Sequence, residues 1–267
     1  MNTTGKIALL LMFLATVVSA FFMARWRSEA SDARTGLEAS EKHAKGLADD
    51  IARLKADATQ PNKVPDSTTR YVEVFPRNVP ALTKLIESTG DHLAVVADYC
   101  GYASYSAPER YAEYKSALIG VAARGKDVDL RVYKERAAEE MMARQFGLDK
   151  PNAEEAYKAM SAGPIFKAYF AYYENIGKRR SIPEGSRAFV QLMLKDETDC
   201  VEELRSKGVK VLRELTSQPP LFIWIKDNNQ AMFSVYNLSS DPKEIAMITE
   251  NSTLVRLLGD ISANLGQ

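Results

Sequence analysis

The apolar positions of this chain change rhythm several times, and each change predicts an element. Residues 7–24, IALLLMFLATVVSAFFMA, run without a charge for about the length a helix needs to cross a bilayer. The run predicts a transmembrane helix that anchors the chain over residues 1–28. Its alternative is a cleaved signal peptide, with Lys6 ahead of the run and Val18-Ser19-Ala20 as a small-residue cleavage site. The apolar stretch continues through Phe21, Phe22 and Met23 to Trp26 between Arg25 and Arg27, an interfacial stop that favours the anchor. Arg25, Arg27 and Arg34 after the run outnumber Lys6 before it. The positive-inside rule therefore predicts a single-pass protein of the inner or plasma membrane with a cytoplasmic globular domain, a periplasmic or extracellular one being the alternative.

Residues 29–59 turn to Ala, Glu, Asp, Lys and Arg and carry a heptad, with Ala30, Leu37, Ala44, Ile51 and Ala58 at one seam position and Ala33, Ser40, Leu47 and Leu54 at the other. A helical stalk follows from this, either a short coiled coil joining a homodimer or a single solvated helix, since Ala and Ser weaken half of the seam. His43 lies outside the seam and reads as solvated surface. Residues 60–69, QPNKVPDSTT, form a linker, and residues 70–267 a globular α/β domain.

Within the domain, a helix over 79–88 with Pro80 in its first turn leads through Gly90 to residues 93–98, LAVVAD, a continuous apolar run of the buried-strand kind. Ser106 or Pro108 opens a helix carrying Tyr111, Tyr114, Leu118, Val121 and Ala122; Gly125 closes it and residues 128–133 return as a strand, completing a βαβ unit. Residues 134–207 read as helical, with a break expected at 196–199. The helix over 164–176 carries Ile165, Phe166, Tyr169, Phe170, Tyr172, Tyr173 and Ile176 nearly all the way round, which predicts burial on most sides; a membrane-apposed or partner-binding face is the sharper alternative. Lys178-Arg179-Arg180 after it complements the helix dipole or meets an anionic ligand. Residues 209–212 form a strand. Residues 221–225 and 231–236, separated by Asp227-Asn228-Asn229-Gln230, form a hairpin; 244–249 is a further strand, and Asn251 caps a closing helix with Leu254, Val255, Leu257, Leu258 and Ile261 on one face.

The formal charge is zero, with 35 basic and 35 acidic residues, so the basic excess of a nucleic-acid binder is missing and such a partner is not expected. Two cysteines, Cys100 and Cys200, leave open whether they are free or paired. Two histidines, His43 and His92, have no neighbours at metal-ligand spacing, and neither a metal nor a cofactor is expected.

The order of hairpin, acidic residue, strand and closing helix resembles the second half of a phospholipase D-type domain, whose first hairpin strand bears HxKxxxxD and whose second ends in a Gly-Ser-x-Asn-like turn. Asp227 falls at the motif's aspartate, Ser234 and Asn237 at the turn, and Glu244 at the glutamate that opens the next strand. The strand, aromatic-Ser-x-Pro loop and Tyr-rich helix around residues 93–122 resemble the opening of the first half. The histidine and lysine positions hold Pro220 and Phe222, and no HxK occurs anywhere, so the resemblance implies a degenerate member in which the phosphohistidine route is closed. The long helical stretch of residues 134–207 departs from the family pattern, which has further strands there. What the resemblance implies is a two-half mixed sheet flanked by helices, preceded by the anchor and stalk. Its central strands would share one cleft, lined by Asp98, Tyr99, Tyr105 and Ser106 from the first half and Asp227, Ser234, Asn237 and Glu244 from the second. The expected function is a membrane-anchored, catalytically inactive module that senses a small anionic ligand or docks a protein. A noncanonical phosphodiester hydrolase or transferase, or a structural envelope or secretion component, is the alternative. One sheet joining residues 93–98, 128–132, 209–212 and the hairpin is required by this picture.

Overall fold

In the computed structural model the described residues are 69–219, 221–235 and 244–265. The expectations placed on residues 1–68, namely anchor, stalk with its dimer, and linker, lie outside them, as do Pro220 and Asn237. The membrane localisation is corrected: among the described residues no helix is long and apolar enough to cross a membrane. The single-pass placement, with the membrane as a partner, is withdrawn.

Strands β1 (Arg70–Val74), β2 (His92–Val96), β3 (Asp127–Tyr133), β4 (Lys210–Leu215), β5 (Leu221–Lys226), β6 (Gln230–Val235) and β7 (Ile245–Thr249) join in one seven-stranded sheet in the order β1-β7-β6-β5-β2-β3-β4. The pairs β2–β3 and β3–β4 are parallel and all others antiparallel. The single sheet expected from the sequence is therefore present, and it is a mixed one. The helices are α1 (Val79–Glu87), α2 (Pro108–Ala123), α3 (Glu135–Gln145), α4 (Ala153–Ala162), α5 (Pro164–Asn175), α6 (Ser186–Ser206) and α7 (Ser252–Asn264).

Strand β5, LFIWI and a lysine, is apolar on both faces because both are covered. Phe222 and Trp224 join the core formed with α1, α2 and the second half of α6, where Leu82, Tyr114, Leu118 and Leu204 are fully buried. The alternate residues turn to α7, where Ile225 packs beside Gly259. Trp224 donates its indole N–H to the Tyr114 hydroxyl at 3.3 Å, so its one polar atom is satisfied at the centre of the core. Asn251 caps α7 as its sequence position predicts, accepting the Leu254 N–H at 3.0 Å. At the other end of α7, the Arg131 guanidinium donates to the Ser262 carbonyl at 2.7 Å, placing a cation on the negative end of the helix dipole.

Strand β1 is an addition to the sequence reading. It is a short edge strand with an irregular register against β7, and its first residues are exposed, so its pattern carries little of the alternation that marks a half-buried strand. Helix α6 differs in the other direction, continuing unbroken through residues 196–199. Its three acids there are each held by different groups: Asp196 by Tyr169 and Arg180, Glu197 by the backbone after β2, and Asp199 by Lys195 one turn earlier. The aromatic helix α5 buries Phe166, Tyr169 and Tyr173 in a second cluster with Phe189, while Ile165 and Ile176 stay about half exposed.

Asp227 lies in the β5–β6 turn, where it and Asn228 take positive φ values of 51° and 52°, as the turn's twist requires and as Asp and Asn tolerate. Its carboxylate accepts the N–H groups of Gly90, Asp91 and His92 at 3.0, 2.8 and 3.0 Å and so fixes the entry into β2. Asp227→Asn retains the tolerance for positive φ but removes the anion and one acceptor. A loss of about 1–3 kcal/mol in urea unfolding is expected; an unchanged midpoint would show that the turn holds without the carboxylate.

Candidate functional site

The carboxyl ends of β2 and β3, the first residues of β5 and the residue preceding β7 meet at one end of the sheet. A cavity of about 820 Å³ opens over them, closed on the other sides by α2, α3, α6 and the end of α5. In sheets with parallel strands this is the end at which ligands gather.

Three carboxyl groups line the cavity where the strands end: Asp98, Glu197 and Glu244. Glu244 is held by two hydroxyl groups, Ser234 Oγ and Tyr102 OH, each donating to Oε1 at 2.5 Å. Asn78, itself completely buried, donates to the Tyr102 oxygen at 3.2 Å. Tyr102 is wedged among Trp224, Phe75 and Phe222 with ring centroids 5.1, 5.5 and 6.1 Å away. The core thus fixes the ring that fixes the carboxyl. Burial drives the Glu244 pKa up, against the two hydroxyl bonds that pull it down.

Glu197 reaches from the middle of α6 to the loop after β2, accepting the Cys100 and Gly101 N–H groups at 2.9 and 3.3 Å. The Cys100 thiol donates to it at 3.4 Å. The same loop carries Ala103 at a positive φ of 69°, a conformation that costs a residue with a Cβ about 1–2 kcal/mol. Burial raises the Glu197 pKa to about 7 even though these donors favour its anion.

Asp98 follows β2 directly and stays in the frame of the sheet, because the Tyr133 N–H donates to its carbonyl at 3.1 Å. Its own side chain accepts the Tyr99 N–H at 2.8 Å. Desolvation raises its pKa to about 7, and the Glu244 and Glu197 charges add to the rise. The side chain is only half-buried by accessible surface.

The remaining wall is aromatic. Tyr105 meets Phe146, Tyr169 and Phe189 with centroids 5.0, 5.4 and 5.6 Å away, and its hydroxyl is buried without a hydrogen-bond partner among the described residues. Arg180 stacks on Tyr173, its guanidinium carbon 3.5 Å from the ring centroid, and pairs with Asp196 and the Tyr169 hydroxyl.

Of the residues singled out in the sequence, Asp98, Tyr99, Tyr105, Ser106 and Glu244 line the cavity together. Ser234 is completely buried and is linked to it through Glu244. Asp227 sits at the opposite end of β5, anchoring the entry into β2, and is not brought to the others. Asn237 lies outside the described residues. Tyr102 and Glu197 are the additions, and Arg180 comes from the basic run 178–180, where it meets Asp196. Glu197 was hidden in the acidic run KDETD, which reads as a helix break, and Tyr102 in a loop of several tyrosines; a glutamate surrounded by residues at helical spacing was the available signal. His92 sits at the start of β2, 3.8 Å from Asp129 and away from the cavity.

No protein-family model matches the chain, and no curated protein matches it. Among solved structures, the chain is similar to the archaeal chromatin protein TrmBL2 (14% identity, TM-score 0.34), covering 91% of this chain and 66% of that one. It is also similar to Nuc, a phospholipase D family member from Salmonella typhimurium (13% identity, TM-score 0.38), covering 76% of this chain and 97% of that one. NucT from Helicobacter pylori gives 10% identity and a TM-score of 0.34 over 74% of this chain and 95% of its own. Likeness this slight decides neither family nor chemistry.

The buried carboxyls set a pH dependence. An unfolded Asp or Glu titrates near about 4, whereas Asp98 and Glu197 titrate at about 7 in the fold. Between those values the folded chain keeps protons that the unfolded chain has released. Their contribution to stability is thus complete below about pH 4 and is lost as the pH rises through about 7. The melting temperature of the full-length chain should fall between about pH 5 and pH 8, and Asp98→Asn combined with Glu197→Gln should flatten that slope. An equal or higher melting temperature at the alkaline end would contradict the assignment.

Proposed function

We propose that this chain is a catalytically inactive phospholipase D-like domain whose cleft serves as a ligand-sensing site. The observation that carries the reading is Phe222. It occupies the position at which the resemblance calls for a phosphate-gripping lysine, lines the cavity, and is 6% exposed with its ring against Tyr102. An apolar ring there gives a phosphoryl group nothing to hold. Glu244, the glutamate of the resemblance, is taken up by Ser234 and Tyr102 rather than by an imidazole. Among the described residues no histidine lines the cavity.

Protein docking is the weaker form of the same reading, because the polar groups converge inside the cavity and the cavity lies in the range of small-molecule sites. A noncanonical hydrolase is favoured by one specific observation, carboxyls poised near neutrality at about 7, which suits general acid–base work. The two readings part on turnover. With the full-length chain, a thermal-shift screen of neutral, cationic and anionic small molecules is run beside hydrolysis of a chromogenic phosphodiester. A concentration-dependent rise in melting temperature without turnover is expected. Phosphodiester turnover abolished by Asp98→Asn or Glu244→Gln would replace the sensing module with an enzyme, and no shift with any class would remove the sensing reading.

A further inference from the structure

The charge inside the cavity is unbalanced in a specific way. Several acids that line it already hold cations: Glu203 is 2.7 Å from Lys115, Asp199 is 2.5 Å from Lys195, and Asp196 pairs with Arg180. Asp98, Glu197 and Glu244 form no ion pair among the described residues. Glu197 and Glu244 are supplied with side-chain or paired donors, whereas among the described residues Asp98 is met by backbone N–H groups alone, those of Tyr99 and of Asp98 itself. Around it stand Tyr99 and Tyr133, with ring centroids 5.3 Å apart. The partnerless Tyr105 hydroxyl lies on the same cavity wall. Arg144, from α3, and Lys178, from the segment after α5, also line the cavity, and Arg144 acts on Tyr133 at the end of β3.

Resting on the ligand-sensing reading above, we propose that the cavity takes an organic cation, an ammonium head on an aromatic or aliphatic body, with the head at Asp98 and the body along the tyrosine wall. Three carboxyls without a cation and electron-rich ring faces both favour positive charge, and together they disfavour the small anion that the resemblance suggested. Among the described residues no group of three His, Cys, Asp or Glu is placed to hold a metal ion. The groups that interact electrostatically with Asp98 are Tyr99 and Tyr102 from the loop after β2, Tyr114 from α2, Tyr133 from β3, Glu197 from α6 and the Glu244 before β7. Arg144 of α3 acts on Tyr133 at the edge of this group, and it forms no ion pair with Asp98 among the described residues.

The test uses the full-length chain and three probes of matched body: phenethylamine, phenethyl alcohol and phenyl phosphate, with choline as a second cation. Calorimetric titration should show both cations binding, and phenethyl alcohol about tenfold or more weaker than phenethylamine. Because Asp98 titrates at about 7, phenethylamine affinity should rise about tenfold from about pH 6 to about pH 8, with protons released on binding at the lower pH. Asp98→Asn should abolish both the preference for charge and the proton release. The pH dependence of the unaltered chain provides the same information should that variant fail to fold. Equal binding of the alcohol and the amine, or tighter binding of phenyl phosphate, would overturn the cation assignment and leave a ligand-sensing cavity in place. No response to these probes, together with silence in the broad screen, would remove both readings.

Discussion

Strand β5 has no face toward solvent from Leu221 to Ile225, and the architecture of the domain follows from covering it twice. One side demands the α1–α2–α6 layer and the other demands α7. Burying a Trp, a Phe and two isoleucines along one strand supplies a large share of the hydrophobic free energy, at about 25 cal/mol per Å². Covering both faces also forbids a register slip, since a shift by one residue would exchange the Phe222–Trp224 face for the Leu221–Ile225 face. With β5 pinned, its antiparallel neighbours β2 and β6 are pinned in turn, and the strand ends that form the cavity have fixed heights relative to one another.

Much of this was readable from the sequence because the informative segments were strongly periodic or strongly apolar. The hairpin, the cap at Asn251 and the βαβ unit follow from short-range patterns, whereas the union of these strands in one sheet was an expectation of the resemblance. The edge strand β1 was not readable, since an exposed edge carries little alternation. The continuity of α6 was not readable either: KDETD is a poor helical run by itself, and what holds it is tertiary, one acid to an arginine, one to backbone amides and one to a lysine. Of the residues singled out beside apolar strands, Asp98 and Glu244 line the cavity and Asp227 does not. Glu197 comes from far along the chain, and local pattern says nothing of a helix face turned toward a distant loop.

The cavity joins two kinds of order. Its carboxyls are held by groups that the core itself immobilises, as in the path from Trp224 through Tyr102 to Glu244, so the polar end inherits the rigidity of the apolar interior. A site so supported changes its charge more readily than its shape.

The Asp227 turn carries a wider consequence. The sequence interval between Phe222 and Asp227 spans one strand, about 16 Å at the usual rise per residue. Its two ends serve unrelated purposes: one borders the cavity, while the other ties a hairpin to the entry of the central strand. The strand thus separates an end that borders the cavity from an end that anchors the hairpin. The anchor rests on bonds between Asp227 and Gly90, Asp91 and His92 alone, so it draws on no residue of the cavity end.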